Sequence, residues 1–127
     1  MNTPDNITSL DPNEIFVFGS NLSGRHGKGA ARTAHKLFGA IYGQAYGMQG
    51  RSFAIPTVDA KIKEKLPITA ISCYVDAFIL FAVNHPVLTF YVTEIGCGLA
   101  GHKVEDIAPL FKRAQNVENI ILPLRFR

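Results

Sequence analysis

Short apolar runs alternate along the chain with longer amphipathic or polar segments. The runs are rich in β-branched and aromatic residues and read EIFVFGSN, SFAIPT, VLTFYVTEI and NIILPL. The first ends in a turn at Gly19, Ser20 and Asn21, and the second ends at Pro56. This pattern is typical of buried strands, so four strands are predicted.

The segment GKGAARTAHKLFGA has the period of an amphipathic helix. Its apolar side consists of Ala30, Ala34, Leu37 and Phe38, and Gly39 is placed to end it. We therefore expect a helix with a glycine-rich entrance directly after the first strand.

The longest apolar stretch, ITAISCYVDAFILFAVN, approaches the length that crosses a membrane. It carries Thr69, Ser72 and Asp76 at helical spacing, and the His85–Pro86 pair closes it because proline cannot extend the hydrogen-bond ladder. A buried helix from about Pro67 to Asn84 with a narrow polar stripe explains the pattern better than a membrane span.

The remaining segments are predicted as connections and one short helix. YGQAYGMQGR interrupts any period, and VDAKIKEK is a polar connection. We interpret its lysines, Lys61, Lys63 and Lys65, as a solvated face. The alternative is that they lie beside a bound phosphate-bearing polymer. HKVEDIAPLFKRA predicts a short helix, and Pro109 restricts where its first turn can lie.

Strands that alternate with helices predict parallel βαβ units with helices on both faces of the sheet. At 127 residues the chain is expected to form one domain, residues 1–127. The fold class is α/β, a three-layer α/β/α arrangement with a mostly parallel central sheet. In open sheets of this kind ligands bind at the carboxyl ends of the strands.

Composition narrows the class of protein. Hydrophobic residues make up 47% of the chain and charged residues 18%, which favours a packed globular fold. The net charge of +3 is spread along the sequence, which suits a phosphate-bearing small molecule better than nucleic acid.

Cys73 and Cys97 have no CxxC spacing, and MNTPDNITSL lacks the features of a signal peptide. A cytoplasmic protein with no membrane association is expected; its oligomeric state is left open.

Two glycine-rich segments follow predicted strands. They are GSNLSGRHGKG, residues 19–29, and GCGLAG, residues 96–101, termed here the first and the second glycine loop. Such turns aim backbone N–H groups at one spot, and a following helix adds partial positive charge, so an anionic oxygen is the expected occupant. Neither segment fits a Walker A or a clean GxGxxG motif, and either alone is equally consistent with a tight turn. Together they predict a clamp for a diphosphate, with Asn21 beside it.

The order of these motifs resembles that of a macro domain, the ADP-ribose-binding α/β/α module, in a shortened form met in phage and bacterial genomes. NITSL is similar to the family's opening Asp-Ile-Thr segment, and IFVFGSN to its strand that ends in Asn-Ala-Ala-Asn. GKGAARTAHKLFGA lies where the family has a glycine-rich loop and a helix. IGCGLAGHKVEDIAPLF is similar to its second phosphate loop, Gly-Thr-Gly-x-x-Gly, and the helix after it.

The resemblance implies a macro-domain-like fold, no cofactor, and ADP-ribose or a related nucleotide as the ligand, free or attached to a macromolecule. It implies that Asn21 approaches the distal ribose and that Asn6 and Ile7 lie near adenine. The expected ligand-binding residues are Asn6, Ile7, Gly19, Ser20, Asn21, Gly27, Lys28, Gly29, Gly96, Cys97, Gly98, Leu99, Ala100 and Gly101.

The chain departs from the family at positions that bear on catalysis. Ala31 stands where many hydrolytic members have an aspartate, and Phe18 replaces the first asparagine of the family's pair. Ala100 stands where an aromatic residue often covers the distal ribose, and the adenine-binding aspartate is Asn6 unless Asp5 shifts into place. Ligand binding is expected to survive these changes, whereas the usual hydrolysis is put in doubt.

Hydrolysis would require water held against the anomeric carbon and stabilisation of the developing charge. Three residues are candidate catalytic groups: His26 in the first glycine loop, His35 on the first helix and Glu94 at the exit of the third strand. Each also has a structural interpretation, as a packed histidine or a solvated carboxylate. Cys97 is a further candidate, because a thiolate at a helix amino end has a lowered pKa, although no partner base is identifiable. No metal-ligand spacing occurs among the histidines and cysteines, so no metal site is expected.

Three functions remain open at this point. The first is a binding module for ADP-ribose or a related metabolite. The second is an ADP-ribosyl hydrolase that uses His26, His35 or Glu94 in place of the missing aspartate. The third is a protein-interaction or inhibitory module that keeps the fold without the ligand, with the mixed apolar and basic end ILPLRFR as its candidate contact.

Overall fold

A five-stranded mixed sheet forms the centre of the protein, as seen in a computed structural model of all 127 residues. The strands are β1 Glu14–Asn21, β2 Gly47–Gln49, β3 Ser52–Val58, β4 Thr89–Val92 and β5 Ile120–Ile121. The helices are α1 Gly29–Leu37, α2 Ile68–Val83 and α3 Val104–Ile107, and 3-10 turns cover Ala108–Asn116 and Leu124–Phe126. The spatial order is β2-β3-β1-β4-β5.

The sheet is mostly parallel, as the sequence predicts. β1 pairs in parallel with both β3 and β4, and β4 pairs in parallel with β5. Only β2 is antiparallel, paired with β3 at one edge. The carboxyl ends of β1, β3 and β4 therefore meet at one end of the sheet, and this is where both glycine loops begin.

Side chains of β1 alternate between two hydrophobic cores, because successive residues of a strand point to opposite faces. Ile15 and Val17 pack in the larger core with α2. Phe16 and Phe18 pack in the smaller core with α1. Helices on both faces complete three α/β/α layers, so the predicted fold class is confirmed.

The long helix forms as predicted, since α2 spans Ile68–Val83. It buries Ile71, Val75 and Phe78 against the sheet. Its polar stripe faces outward, with Asp76 in an ion pair with Arg113. None of the helices combines the length and the apolar character that crossing a membrane requires.

The apolar face predicted for α1 is wrong by one position. Ala31, Ala34 and Phe38 are buried, whereas Ala30 is exposed and Leu37 keeps 48% of its surface. The ring of Phe38 packs 5.0 Å from that of Phe16, centroid to centroid, which rotates the helix so that the 31–34–38 stripe faces the sheet.

Several element boundaries also differ from the prediction. The YGQAYGMQGR segment contains β2, which is too short to show a period. β3 continues beyond Pro56 to Val58, while the last two strands are shorter than predicted. The final helix keeps α geometry only over Val104–Ile107, and a 3-10 helix follows with a proline in its first turn.

Candidate functional site

A cleft lies at the carboxyl ends of β1, β3 and β4, between the two glycine loops. It consists of two adjoining cavities, a smaller one of about 270 Å³ and a larger one of about 620 Å³. Both cavities are lined by Gly19, Lys28, Ala31, Thr57, Leu99 and Ala100. The pairing of β1 with β3 becomes irregular between Ser20 and Asn21, beside the larger cavity.

The first and second glycine loops approach each other closely. A Cβ on Gly19 would lie 3.1 Å from the backbone nitrogen of Gly96. A Cβ on Gly29, which has φ +61°, would lie 3.2 Å from the Cδ1 of Leu99. The absence of side chains at positions 19 and 29 is therefore what lets the two loops face one cleft.

The second glycine loop is anchored to β3 by His102, a residue that the sequence analysis did not single out. The His102 ring donates from Nε2 to the carbonyl of Thr57 at 3.0 Å, and its backbone N–H donates to the Gly96 carbonyl at 2.7 Å. A Cβ on Gly96 would lie 3.1 Å from the same ring. This packing holds the start of the loop, whereas a Cβ added at Gly98 or Gly101 would have no atom within 4 Å.

Asn21 organises the first glycine loop. Its Oδ1 accepts from the backbone N–H of Arg25 at 3.0 Å and from Ser23 Oγ at 2.8 Å, and its Nδ2 donates to the Arg25 carbonyl at 2.8 Å. The neighbouring Ser20 hydroxyl donates to the Ala45 carbonyl. Both residues line the larger cavity, as the sequence analysis expects of ligand-binding residues, but their polar atoms are engaged within the protein.

His26 does not reach the cleft, contrary to its prediction as a phosphate contact or acid. Its side chain is buried, with 1% of its surface exposed, and it lines neither cavity. Nε2 donates to the Ile41 carbonyl at 2.9 Å and lies 3.2 Å from Gln49 Oε1, while Nδ1 has no partner. The geometry is that of a structural histidine packed edge-on against Phe18.

His35 also lies outside the cleft. Its Nδ1 donates to the Ala40 carbonyl at 2.8 Å, and its ring meets the Tyr42 ring at 90° with centroids 4.6 Å apart. These contacts tie the end of α1 to the segment after it. The prediction of a catalytic role for His35 therefore has no geometric support.

Glu94 lines the smaller cavity and is the one predicted catalytic residue that does so. Its carboxylate accepts two hydrogen bonds from the Arg125 guanidinium, at 2.8 and 2.6 Å. These hydrogen bonds hold the pKa of Glu94 below its usual range, outweighing the effect of partial burial. A paired carboxylate of lowered pKa is a weak general base. Its ion pair with Arg125 stabilises the folded protein, and this contribution is lost only as the pH falls through the lowered pKa of Glu94.

Cys97 is not an activated thiol. Burial, reinforced by the nearby Glu94 carboxylate, raises the pKa of its side chain above the usual range. It packs against the larger core and lines neither cavity, although Gly96 and Gly98 on either side line the smaller one. The next helix begins only at Val104 and has four residues, so no helix amino end stabilises a thiolate here.

Alkylation rates provide a direct check of the Cys97 thiol. At pH 8 we expect iodoacetamide to modify the exposed Cys73 at least about tenfold faster than Cys97, because the thiolate is the reactive species. Mass spectrometry of quenched samples measures both rates, and Cys73→Ser isolates the slow reaction. Equal rates at the two positions would contradict the raised pKa.

Asn6 and Ile7 lie apart from the glycine loops. They line a separate cavity of about 250 Å³ together with Glu14 and Tyr91, and this cavity shares no lining residue with the cleft. Glu14 is the first residue of β1, at the opposite end of that strand from the cleft. Ile7 packs in the smaller core, so the amino-terminal segment covers the α1 face of the sheet.

Other expected site residues do meet in the cleft. Gly27 lines the larger cavity, Gly29 lines the smaller one, and Lys28 lines both. Gly101 lines neither cavity, but its carbonyl accepts a hydrogen bond from Lys65 Nζ at 3.4 Å. Leu99 keeps 78% of its surface exposed at the mouth of both cavities.

The segment that follows β3 also lines the cleft, a position near a phosphate that the sequence analysis gave its lysines only as the alternative to a solvated face. The larger cavity is lined there by Ile62, Lys63, Glu64 and Lys65, and elsewhere by Arg25, Tyr42 and Val58. The alternating lysines of VDAKIKEK are the one signal in the sequence, but the same pattern is typical of a solvated connection. The approach of this segment to the second glycine loop depends on a turn between residues 58 and 65.

Ile62 is the single non-glycine residue with a positive φ, at +58°. A β-branched side chain is strained in this conformation, which asparagine adopts more readily. We expect Ile62→Asn to stabilise the protein by about 1 kcal/mol and Ile62→Val, which keeps the branch, to leave stability unchanged. Urea unfolding of the two variants measures the difference, and an asparagine variant no more stable than the valine variant would refute the strain.

Comparisons with known proteins support the fold and no function. No protein-family model and no curated protein matches the chain. A solved structure from Bacteroides thetaiotaomicron, described as a protein of unknown function, has a similar fold with a TM-score of 0.56. The alignment covers 91% of this chain and 90% of that one, at 19% sequence identity. At this identity the similarity extends to the fold alone.

Proposed function

We propose that the protein binds ADP-ribose, or a related nucleotide-derived diphosphate, in the cleft between the two glycine loops. The observation that carries this proposal is the convergence of two glycine-rich loops, from the adjacent parallel strands β1 and β4, on one pair of connected cavities. Ligands of open α/β sheets bind at this end of the strands.

The chemistry of the cleft suits a diphosphate. Glycine at 29, 96 and 98 brings backbone, rather than side chains, to the smaller cavity. Lys28 adds a positive charge there, and the carboxylate of Glu94 in the same lining is paired with Arg125. Backbone N–H groups and a cation are the usual partners of phosphate oxygens. The larger cavity, of about 620 Å³, has room for the remainder of a nucleotide.

The resemblance to a macro domain supports the same proposal. The two loops that it assigns to phosphate line one cleft of an α/β/α fold. The segment that it assigns to adenine does not, because Asn6 and Ile7 lie at the opposite end of β1. Its departures agree with a binding function: Phe18 is fully buried in the smaller core, and Ala31 brings no carboxylate to the cleft.

No observation favours the two alternative functions. Among the candidate acids and bases only Glu94 lines the cleft, and its carboxylate forms an ion pair with Arg125. The carboxyl-terminal segment is also engaged within the protein, because Phe126 is buried and Arg127 donates to the Met1 carbonyl.

Isothermal titration with ADP-ribose tests the proposal. We expect micromolar affinity, and we expect AMP, which lacks the diphosphate, to bind at least about tenfold more weakly. ADP-ribose, its phosphorylated forms, NAD and cyclic nucleotides form the ligand panel. No heat above dilution for any of them at millimolar concentration would refute the proposal.

A further inference from the structure

We infer that two copies of this chain associate through the outer face of α2, with the two helices antiparallel about a two-fold axis that passes close to Ala77. The outer face is the row of Cys73, Ala77 and Leu80, with Thr69 and Asn84 at its two ends, and all five residues are exposed. No residue of α2 lines either cavity of the cleft, so this association is independent of the proposed ligand.

The outer face of α2 is apolar at positions where a surface helix is normally charged. Asp76 is the single charged residue among the 16 of α2, and it already forms an ion pair with Arg113. The opposite side of the helix buries Ile71, Val75 and Phe78 in the larger core. Helices that are hydrophobic on both sides are normally covered on both sides. Within one copy of the chain, α2 is covered on one side only.

Large apolar residues are exposed together in the carboxyl-terminal half of α2. Leu80 keeps 63% of its surface and Val83 keeps 51%, and Val87, just beyond the helix, is exposed as well. A single exposed leucine is normal on a protein surface, whereas a group of apolar residues marks a contact with another molecule. This part of the surface therefore has the character of an interface.

The outer face fits a second copy of itself. Its small residue Cys73 and its large residue Leu80 lie at equal distances on either side of a midpoint near Ala77. A two-fold axis through that midpoint places Cys73 opposite Leu80 of the partner subunit and the small Ala77 at the crossing point. A large side chain opposite a small one fills the space between two helices, whereas a parallel pair would place two leucines against each other.

The two ends of α2 also carry complementary charge. The segment before the helix, residues 61–65, contains three lysines and one glutamate. Glu118 is exposed and forms no ion pair, and it lies beside the other end, because the Asn119 side chain donates to the carbonyls of Ala82 and His85 at 2.9 and 3.1 Å. An antiparallel pair brings the lysine end of one copy to the glutamate end of the other and aligns the helix dipoles favourably.

The size of the outer face predicts a weak dimer. A helix of 16 residues is about 24 Å long and 10–12 Å across, so each copy contributes on the order of a few hundred Å². Stable interfaces bury about 800 Å² per partner, and we therefore expect a dissociation constant of about 10–100 μM. Below about 1 μM the copies are then separate, and Cys73 is open to alkylation.

Disulfide trapping tests the antiparallel arrangement. In Leu80→Cys the introduced thiol is expected to lie opposite Cys73 of the partner subunit. Oxidised glutathione converts such a pair of thiols to a disulfide and is itself reduced to two molecules of glutathione. We expect a covalent dimer to form at least about tenfold faster than in Cys73→Ser/Leu80→Cys, as measured by non-reducing electrophoresis. The thiols of this double variant lie about 10 Å apart along the helices, too far for a disulfide.

Sedimentation velocity tests the association without a crosslink. The wild type is expected to shift from monomer to dimer between about 10 and 500 μM, whereas Leu80→Lys stays monomeric over that range. Leu37→Lys is the matched control, because Leu37 is a half-exposed leucine of α1, which packs on the other face of the sheet. This control is expected to dimerise like the wild type. Circular dichroism checks that both variants remain folded.

Three results would each overturn the inference. A wild type that is still monomeric at about 500 μM would leave the outer face of α2 to a different partner. Dimerisation of Leu80→Lys with wild-type affinity would place the interface elsewhere on the surface. Equal rates of crosslinking in Leu80→Cys and Cys73→Ser/Leu80→Cys would contradict the antiparallel pairing of Cys73 with Leu80.

Discussion

Glutamate at position 98 is expected to lower the affinity for ADP-ribose by about 100-fold or more, whereas alanine there changes it by about threefold or less. Gly98 lines the smaller cavity, and no atom lies within 4 Å of a Cβ built on it. A side chain is therefore accommodated without a clash, and the expected effect comes from a carboxylate placed beside the diphosphate. Two like charges near 4 Å at a protein surface repel by about 4 kcal/mol, more than the 100-fold loss requires.

The two Gly98 variants separate ligand repulsion from misfolding. Gly98 does not have the positive φ of Gly96 and Gly101, so neither substitution strains the backbone. Both variants are expected to unfold at the same temperature as the wild type, measured by circular dichroism. If Gly98→Glu keeps wild-type affinity, the second glycine loop is not the wall that holds the diphosphate.

Sequence periodicity was sufficient to locate β1, α1 and α2, although it placed the apolar face of α1 one position away. Alternate residues of β1 are buried on both faces, and this is why EIFVFGSN shows an unbroken apolar run typical of a central parallel strand. The length of α2 could be read from its apolar stretch and the proline after it. The short β2 strand carries no such signal, because its pairing with β3 is decided by neighbours in space. β5 lies within the predicted NIILPL strand but keeps only two of its residues.

The position of the cleft was predictable from the sequence, but the roles of its side chains were not. Glycines at the exits of β1 and β4 reveal a cleft without any knowledge of side-chain orientation. Side-chain roles depend on partners distant in sequence: Glu94 pairs with Arg125, 31 positions away, and His26 turns toward Gln49, 23 positions away. Neither partner can be chosen from local spacing.

The lysines after β3 were read mainly as a solvated face, and only alternatively as lying near phosphate, for a different reason. Lys63 and Lys65 reach the cleft because the turn before α2 folds back on the end of β3, with Ile62 at φ +58°. A β-branched residue is among the least expected in that conformation, so local propensity argued against such a turn. Tertiary contacts outweighed that preference.

Alanine at position 24 is expected to destabilise the protein by about 3–5 kcal/mol, combining the strain of a left-handed conformation with overpacking. Gly24 has φ +69°, and its Cβ would lie 2.5 Å from the carbonyl carbon of Gly43 and 2.6 Å from the nitrogen of Gln44. These are backbone atoms, so no rotamer change can relieve the contact. The Gly43 N–H also donates to the Gly24 carbonyl at 3.0 Å, which fixes the approach.

Gly43→Ala is the matched control for Gly24→Ala. Gly43 has φ +93°, but a Cβ added there would have no atom within 4 Å, so its substitution carries conformational strain alone, about 1–2 kcal/mol. Urea unfolding followed by circular dichroism measures both variants. If they are equally stable, the first glycine loop does not pack on residues 43–44 in solution. The Ile41 carbonyl that accepts from His26 belongs to the same segment, so that result would remove support for the buried position of His26 and restore it as a candidate group in the cleft.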